Sequence, residues 1–244
     1  MKPIRLDKYL ADMGAGSRSQ IRQDIRKGLV QVNNEIAKTP DQKIDPASDR
    51  VSLRGEYITY VSYEYYMLNK PAGVLSASRD KKARTVLDLI TEHSRKDLFP
   101  VGRLDKDTEG LLLITNDGAL AHELLHPKKH VNKTYFVRLT GPVTPQMVQA
   151  FAEGLDIGDE TLTLPGELKI LKNGPQAETE ITISEGRFHQ IKRMAKAAGT
   201  EVLYLKRISM GPLSLDESLA PGAYRSVTEE EKTALLRLAR NETI

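Results

Sequence analysis

The sequence predicts an α+β protein in two parts, a small α/β module followed by a larger unit on a mixed, mainly antiparallel sheet. Three observations carry this. At 244 residues, the chain exceeds one average domain of roughly 150 residues and falls short of two. Two short helical patterns and a hairpin signal crowd its first 60 residues. Beyond them, strand patterns follow in succession without a helix between each pair, which disfavours a doubly wound parallel sheet.

The first helix is predicted from Leu6, Tyr9, Leu10 and Met13, spaced as one apolar face and stopped by Gly14-Ala15-Gly16. Ser17 and Gln20 then have the spacing of a capping box, with Ile21 and Ile25 inward and Gly28 as the stop. Arg18, Arg22 and Arg26 recur every four residues, so their guanidiniums share the outer face. Asn33-Asn34 between Leu29–Val32 and Glu35–Ala37 reads as a hairpin turn. The tyrosine-rich stretch from Tyr57 to Tyr66 marks the transition. The expected domains are 1–60 and 61–244.

Strands are expected at Tyr65–Leu68, Leu111–Thr115, Lys133–Leu139, Thr179–Ser184 and Val202–Ser209. Helices are expected at Thr85–Ile90, at Ala119–Leu125 after an Asp117 cap, at Pro145–Glu153 between Thr144 and Gly154, and at about His189–Ala198 before Gly199.

Composition narrows the function. The chain has no Cys, which excludes disulfides, thiolate metal sites and a thiol nucleophile. Its longest apolar runs, such as Leu111–Ile114, are far below the roughly 20 residues of a membrane span. No signal-peptide pattern opens the sequence, so a cytoplasmic protein is expected. The net charge is only +3, but residues 1–29, 79–84 and 184–210 concentrate Lys and Arg. Clustered positive charge offset by acid elsewhere suits a polyanion-binding face.

Several motifs mislead. His122-Glu123-Leu124-Leu125-His126 fits a zinc-peptidase pattern, but Pro127 pushes the second His out of helical geometry and no third ligand follows. No metal site is therefore expected. Gly14-Ala15-Gly16 separates two helices and is no dinucleotide loop. The segment Gly102–Gly118 is a carboxylate-rich loop running into an apolar strand. Residue types alone leave two readings open there, a catalytic loop on a rigid scaffold or a turn with surface ion pairs.

That loop, Gly102-Arg103-Leu104-Asp105-Lys106-Asp107-Thr108-Glu109-Gly110, resembles the signature of the RsuA/RluB/RluE/RluF family of pseudouridine synthases. Tyr66–Gly73, Lys133-Thr134-Tyr135 and Gly186–Met194 resemble its other motifs, in the family's order. The first 60 residues resemble the RNA-binding module of the fourth small-subunit ribosomal protein. The resemblance implies a catalytic domain with a central cleft and an isomerase that flips a uridine out of RNA. Asp105 would be the essential carboxylate, Tyr135 would lie against the uracil, and Lys192 would pair with Asp105. Arg103 would fill the gap left by the flipped base. Arg18, Arg22, Arg26, Arg187, His189 and Gln190 complete the expected RNA-binding set. Many relatives in the wider superfamily carry Arg where this chain has Lys192, so a two-bonded clamp on Asp105 is not expected.

No cofactor is implied. The expected partner is ribosomal RNA. Because the compact layout most resembles the family members acting on the small subunit, the expected substrate is 16S ribosomal RNA in a small-subunit assembly intermediate, with 23S ribosomal RNA as the alternative. A non-catalytic RNA-binding or assembly protein is the competing class. A monomer without membrane association is expected.

Overall fold

A computed structural model describes residues 3–240, so Lys2 of the N-terminal basic cluster lies outside the described residues. The chain forms two compact units, one running to Glu64 and including 91–98, the other comprising Tyr65–Ile90 and Phe99 onward. The expected single cut near residue 60 misses this excursion. Arg95 explains it: only 3% exposed, it donates to the Val61 carbonyl at 3.1 Å, pairs with Asp12 at 3.4 Å and lies over the Tyr60 ring. A buried guanidinium persists only where such partners satisfy it, and these all belong to the first unit.

The first unit contains β1 (Ile4–Arg5), α1 (Leu6–Asp12), α2 (Arg18–Arg26), β2 (Val30–Val32), β3 (Glu35–Ile36), β4 (Lys43–Ile44), β5 (Val51–Leu53) and β6 (Glu56–Ile58). Its larger sheet has the order β3-β2-β5-β6. Leu6, Tyr9, Leu10, Ile21 and Ile25 pack on Val30, Val32 and Val51. Asn33 and Asn34 take φ of 51° and 70°, the left-handed pair that a two-residue hairpin requires. Ser17 Oγ accepts the Gln20 amide at 3.2 Å, but the Gln20 side chain turns to Asp24. Only half of the expected capping box forms.

The second unit contains β7 (Tyr65–Lys70), β8 (Phe99–Pro100), β9 (Glu109–Thr115), α3 (Gly118–Leu125), β10 (Lys133–Leu139), α4 (Pro145–Glu153), β11 (Glu167–Lys172), β12 (Glu178–Ile183), α5 (Gln190–Ala197), β13 (Val202–Met210), β14 (Leu213–Ser214), β15 (Tyr224–Ser226) and α6 (Glu229–Ala239). The main path of its nine-stranded sheet is β11-β12-β10-β13-β9-β7-β15. Its pairs are antiparallel except β13 with β9. The α+β class with a mixed, mainly antiparallel sheet is therefore correct. The expected helix at Thr85–Ile90 is instead a 3-10 turn, Val86–Leu89, closed by a Thr85–Asp88 capping box. The described helices include none long and apolar enough to cross a membrane.

β7 is buried along its whole length and β9 along nearly all of it, as befits central strands. β10 alternates buried and half-buried positions, so Lys133 and Tyr135 share one face with Val137 and Leu139. The parallel pair sets the site's geometry by placing Arg207 opposite Gly110. A Cβ at Gly110 would sit 2.2 Å from the Arg207 carbonyl oxygen, and φ there is +100°. Gly110→Ala should therefore cost about 2–4 kcal/mol and lower the melting temperature by roughly 5–15 °C. A shift below about 2 °C in thermal denaturation would mean that the strands part freely.

Candidate active site

The carboxylate-rich loop between β8 and β9 is held from beneath by Lys70, at the end of β7. Lys70 is fully buried, and its three ammonium hydrogens are shared among the carbonyls of Pro71, Asp105, Lys106 and Thr108, which lie at 3.1, 3.0, 3.3 and 2.8 Å. Burial pushes its pKa down to about 8, against the opposing pull of Asp107, Glu109 and Asp105. Ser76 adds a second clamp, donating to the Leu104 carbonyl at 2.8 Å and accepting its amide at 3.0 Å. These bonds fix the backbone on either side of Asp105 to the sheet.

Asp105 faces a lysine and a histidine from the loop and helix that follow β12. Lys192 Nζ lies 3.2 Å from its Oδ2, and His189 Nε2 lies 3.5 Å from its Oδ1. The pairing expected of Lys192 is present but shared. The same ammonium binds both oxygens of Asp107, at 2.7 and 2.9 Å. The expectation gave Asp107 no part at the site; instead it competes for the cation that serves Asp105. A lysine suits this arrangement because its three donors can point at separate carboxylates, where a guanidinium favours one bidentate partner. Partial burial pulls Lys192 down, but its bonds to Asp107 and Asp105 outweigh that and raise its pKa. The Lys192 hydrogen bond holds Asp107 below the usual carboxylate range.

Tyr135 is 9% exposed on β10, and it lines a small pocket of about 90 Å³ with Arg103, Asp105, His189, Lys192 and Leu205. A wider cleft of about 970 Å³ adjoins it, lined also by Phe188, Lys133 and Arg207. Arg103 is exposed at the rim and makes no ion pair among the described residues. The structure thus brings Arg103, Asp105, Tyr135, His189 and Lys192 together around one opening.

Two expected RNA contacts do something else. Arg187 spends its guanidinium on Glu185, Asp159, Thr161 and Leu162. Gln190 is buried, accepting the Arg187 amide and donating to Glu185. Both brace the loop that presents His189, which takes the strained φ of +50°. Their donors are consumed within the protein and unavailable to phosphate. In the other unit, Arg18 and Arg26 are exposed without ion partners among the described residues, whereas Arg22 pairs with Asp7 at 3.3 Å.

The zinc-like motif divides as Pro127 dictates. His122 lies in α3, but His126 is its C-cap with φ −64° and ψ 125°, outside the helix. The described residues include no cluster of three or more His, Cys, Asp or Glu able to hold a metal ion.

Residues 64–197 match the RNA pseudouridylate synthase family, and residues 4–51 match the S4 domain. The chain belongs to the RNA pseudouridylate synthase family. Within it, the similarity runs along the RsuA/RluB/RluE/RluF branch. An uncharacterised RNA pseudouridine synthase of Bacillus subtilis is 48% identical over 93% of this chain and 96% of that protein. The ribosomal small subunit pseudouridine synthase A of Vibrio cholerae is 39% identical over 95% and 99%. A solved pseudouridylate synthase superposes with TM-score 0.67 at 38% identity, covering 95% of this chain and 99% of that one. The protein is accordingly an RNA pseudouridine synthase, an isomerase, carrying an S4 module ahead of its catalytic domain.

For such a synthase the shared ammonium gives a sharp expectation. Lys192→Met should cut single-turnover rate by about 100-fold, since a group misplaced by about 1 Å costs that much, and Lys192→Arg should restore most of it. The Lys192–Asp107 pair contributes above pH 3.8, is lost as pH falls through the lowered Asp107 value, and persists at least to pH 10.5 because Lys192 is raised. Wild-type rate at saturating RNA should therefore show no limb from this pair between those limits. If Lys192→Met raised only the Michaelis constant, in a salt-dependent way, Lys192 would be a phosphate contact instead.

Proposed function

We propose that this synthase converts a uridine of ribosomal RNA, in the small-subunit 16S molecule, to pseudouridine, with Asp105 as the essential carboxylate. The reading is supported by relatives aligned over almost their whole length and bearing a small-subunit name in Vibrio cholerae and Escherichia coli. The observation that carries the chemistry is Asp105 at the mouth of a small pocket, between Lys192 and His189 and on a clamped loop.

The reaction breaks the N1–C1′ bond, turns the uracil and joins C5 to C1′. C5 loses a proton and N1 gains one, so atoms balance and no oxidant or energy source enters. Asp105 supplies the anion or nucleophile needed while the sugar and base are apart. Tyr135 covers the uracil face, and its hydroxyl is a candidate to take the C5 proton. Reaching the pocket requires the uridine to leave its stack, which costs a few kcal/mol. Arg103 at the rim occupies the gap. The enzyme works in the cytoplasm, as a monomer, on an assembling small-subunit particle.

The S4 module supplies affinity. On duplex-like nucleic acid each neutralised phosphate adds about 0.9 to the slope of log affinity against log salt. Replacing Arg18, Arg22 and Arg26 by Gln should flatten the slope by about 2 rather than 3, because Arg22 is partly held by Asp7. An unchanged slope would move the binding face to Lys81, Lys82 and Arg84. Mapping pseudouridine in 16S and 23S ribosomal RNA after incubation with the enzyme tests the substrate. New product confined to 23S would reverse the assignment, and none in either would favour a non-catalytic binder.

A further inference from the structure

Lys133 and Arg207 are two buried cations that the reaction as described leaves without a task. Lys133 is 8% exposed and Arg207 2%. They lie on adjacent strands, with Arg207 registered against Tyr135 and Lys133 two residues before it, so all three face the cleft that also holds Asp105. Neither has an acidic partner within ion-pair distance among the described residues. Among the described residues Lys133 donates only to the Val131 carbonyl, at 2.6 Å, and Arg207 only through Nε to the Leu111 carbonyl, at 2.7 Å. Three buried side-chain atoms among the described residues lack any hydrogen-bond partner, and Arg207 Nη2 is the one that carries charge.

This is an expensive arrangement. A buried charge without a counter-ion costs several kcal/mol, and two of like sign aggravate each other. Burial, together with the Arg207 charge, pushes Lys133 down to about 8. An anionic oxygen in the cleft would relieve both groups. Guanidinium and ammonium groups complement a phosphate oxygen pair well.

We propose that Lys133 and Arg207 form a seat for one backbone phosphate of the RNA, beside the uridine that enters the Asp105 pocket. This deepens the reading of the protein as an RNA-modifying enzyme and rests on it. The seat differs in kind from the exposed arginines of the S4 module. It is deep, fixed to the sheet and single, so it anchors one phosphate next to the flipped nucleotide and sets how far the uridine penetrates.

The test is equilibrium binding of a five-residue oligouridylate by the full wild-type chain. One phosphate at a time is replaced by an uncharged methylphosphonate. Neutralising the seated phosphate should weaken binding about tenfold or more, and the others by about threefold or less. Lys133→Met should bind the unmodified oligomer about tenfold more weakly and show no further loss at that position. Equal penalties at every phosphate, or no binding, would overturn the seat without requiring any variant to fold. So would a full methylphosphonate penalty retained in Lys133→Met. The readout is binding of a ribosome-independent oligomer. A failure to modify ribosomal RNA would therefore count against the proposed substrate and leave the phosphate seat to stand or fall on the binding data.

Discussion

Asp105→Asn should fold, bind RNA with wild-type affinity and lose turnover by at least about 10⁴-fold, the scale on which removal of a reacting group acts. Asparagine keeps the shape and can still accept a hydrogen bond from Lys192, but it offers neither a nucleophilic oxygen nor an anion. The loop itself should survive, because it is held by the backbone carbonyls of Asp105, Lys106 and Thr108 on Lys70 and not by the Asp105 side chain. Single-turnover assays at saturating RNA, with circular dichroism as a folding control, check this. Residual turnover above about one hundredth of wild type would remove Asp105 from the chemistry.

Lys70→Met should do damage of a different kind. Four carbonyls lose a common donor, and each buried unsatisfied acceptor costs about 1–3 kcal/mol. Removing a desolvated ammonium offsets part of this, so a net loss of about 2–4 kcal/mol is expected. Turnover should fall by about 100-fold as the loop carrying Asp105 slackens, with RNA affinity through the S4 module little changed. The pH dependence gives a second signature. Lys70 is lowered to about 8 in the folded protein from an ordinary 10.5. Between those values the unfolded chain binds more protons than the native one, so this group makes stability rise with pH there. Lys133, also lowered to about 8, adds a similar slope. Denaturation midpoints measured from pH 8 to 10.5 should therefore rise less steeply in Lys70→Met than in wild type. Parallel curves would show that Lys70 carries no such proton.

Which features the sequence disclosed follows from how local their causes are. The Asn33-Asn34 turn, the Asp117 and Thr144 caps and the Pro127 break depend on residues a few positions apart, and each was legible. The apolar run Leu111–Ile114 announced a strand, and its central place in the sheet explains the missing alternation, since both faces are buried. α6 was missed although its capping box, Thr228 with Glu231, could have announced it. The site was legible through the resemblance, since the Asp105 loop and the Lys192 helix join across 87 residues of chain only in the folded state. No local pattern says that Lys192 serves two carboxylates, that Arg187 and Gln190 turn inward, or that Lys70 holds four carbonyls. Those roles are set by which strands neighbour one another, and periodicity does not encode that. Arg95 shows the same limit at the domain level: a lone arginine in a polar stretch reads as surface, yet its burial binds 91–98 to the first unit.

If Asp105 drives exchange of the C5–H bond of a ribosomal uridine for a C5–C1′ bond, the C5 hydrogen must leave for water. Release of tritium from ribosomal RNA labelled at uridine C5 measures that exchange directly. Wild-type enzyme should release label from 16S ribosomal RNA up to one equivalent per molecule, with none from 23S, and Asp105→Asn should release none. Equal release by the Asp105→Asn enzyme, or no release by wild type from either RNA, would contradict a catalytic role for Asp105 in ribosomal RNA.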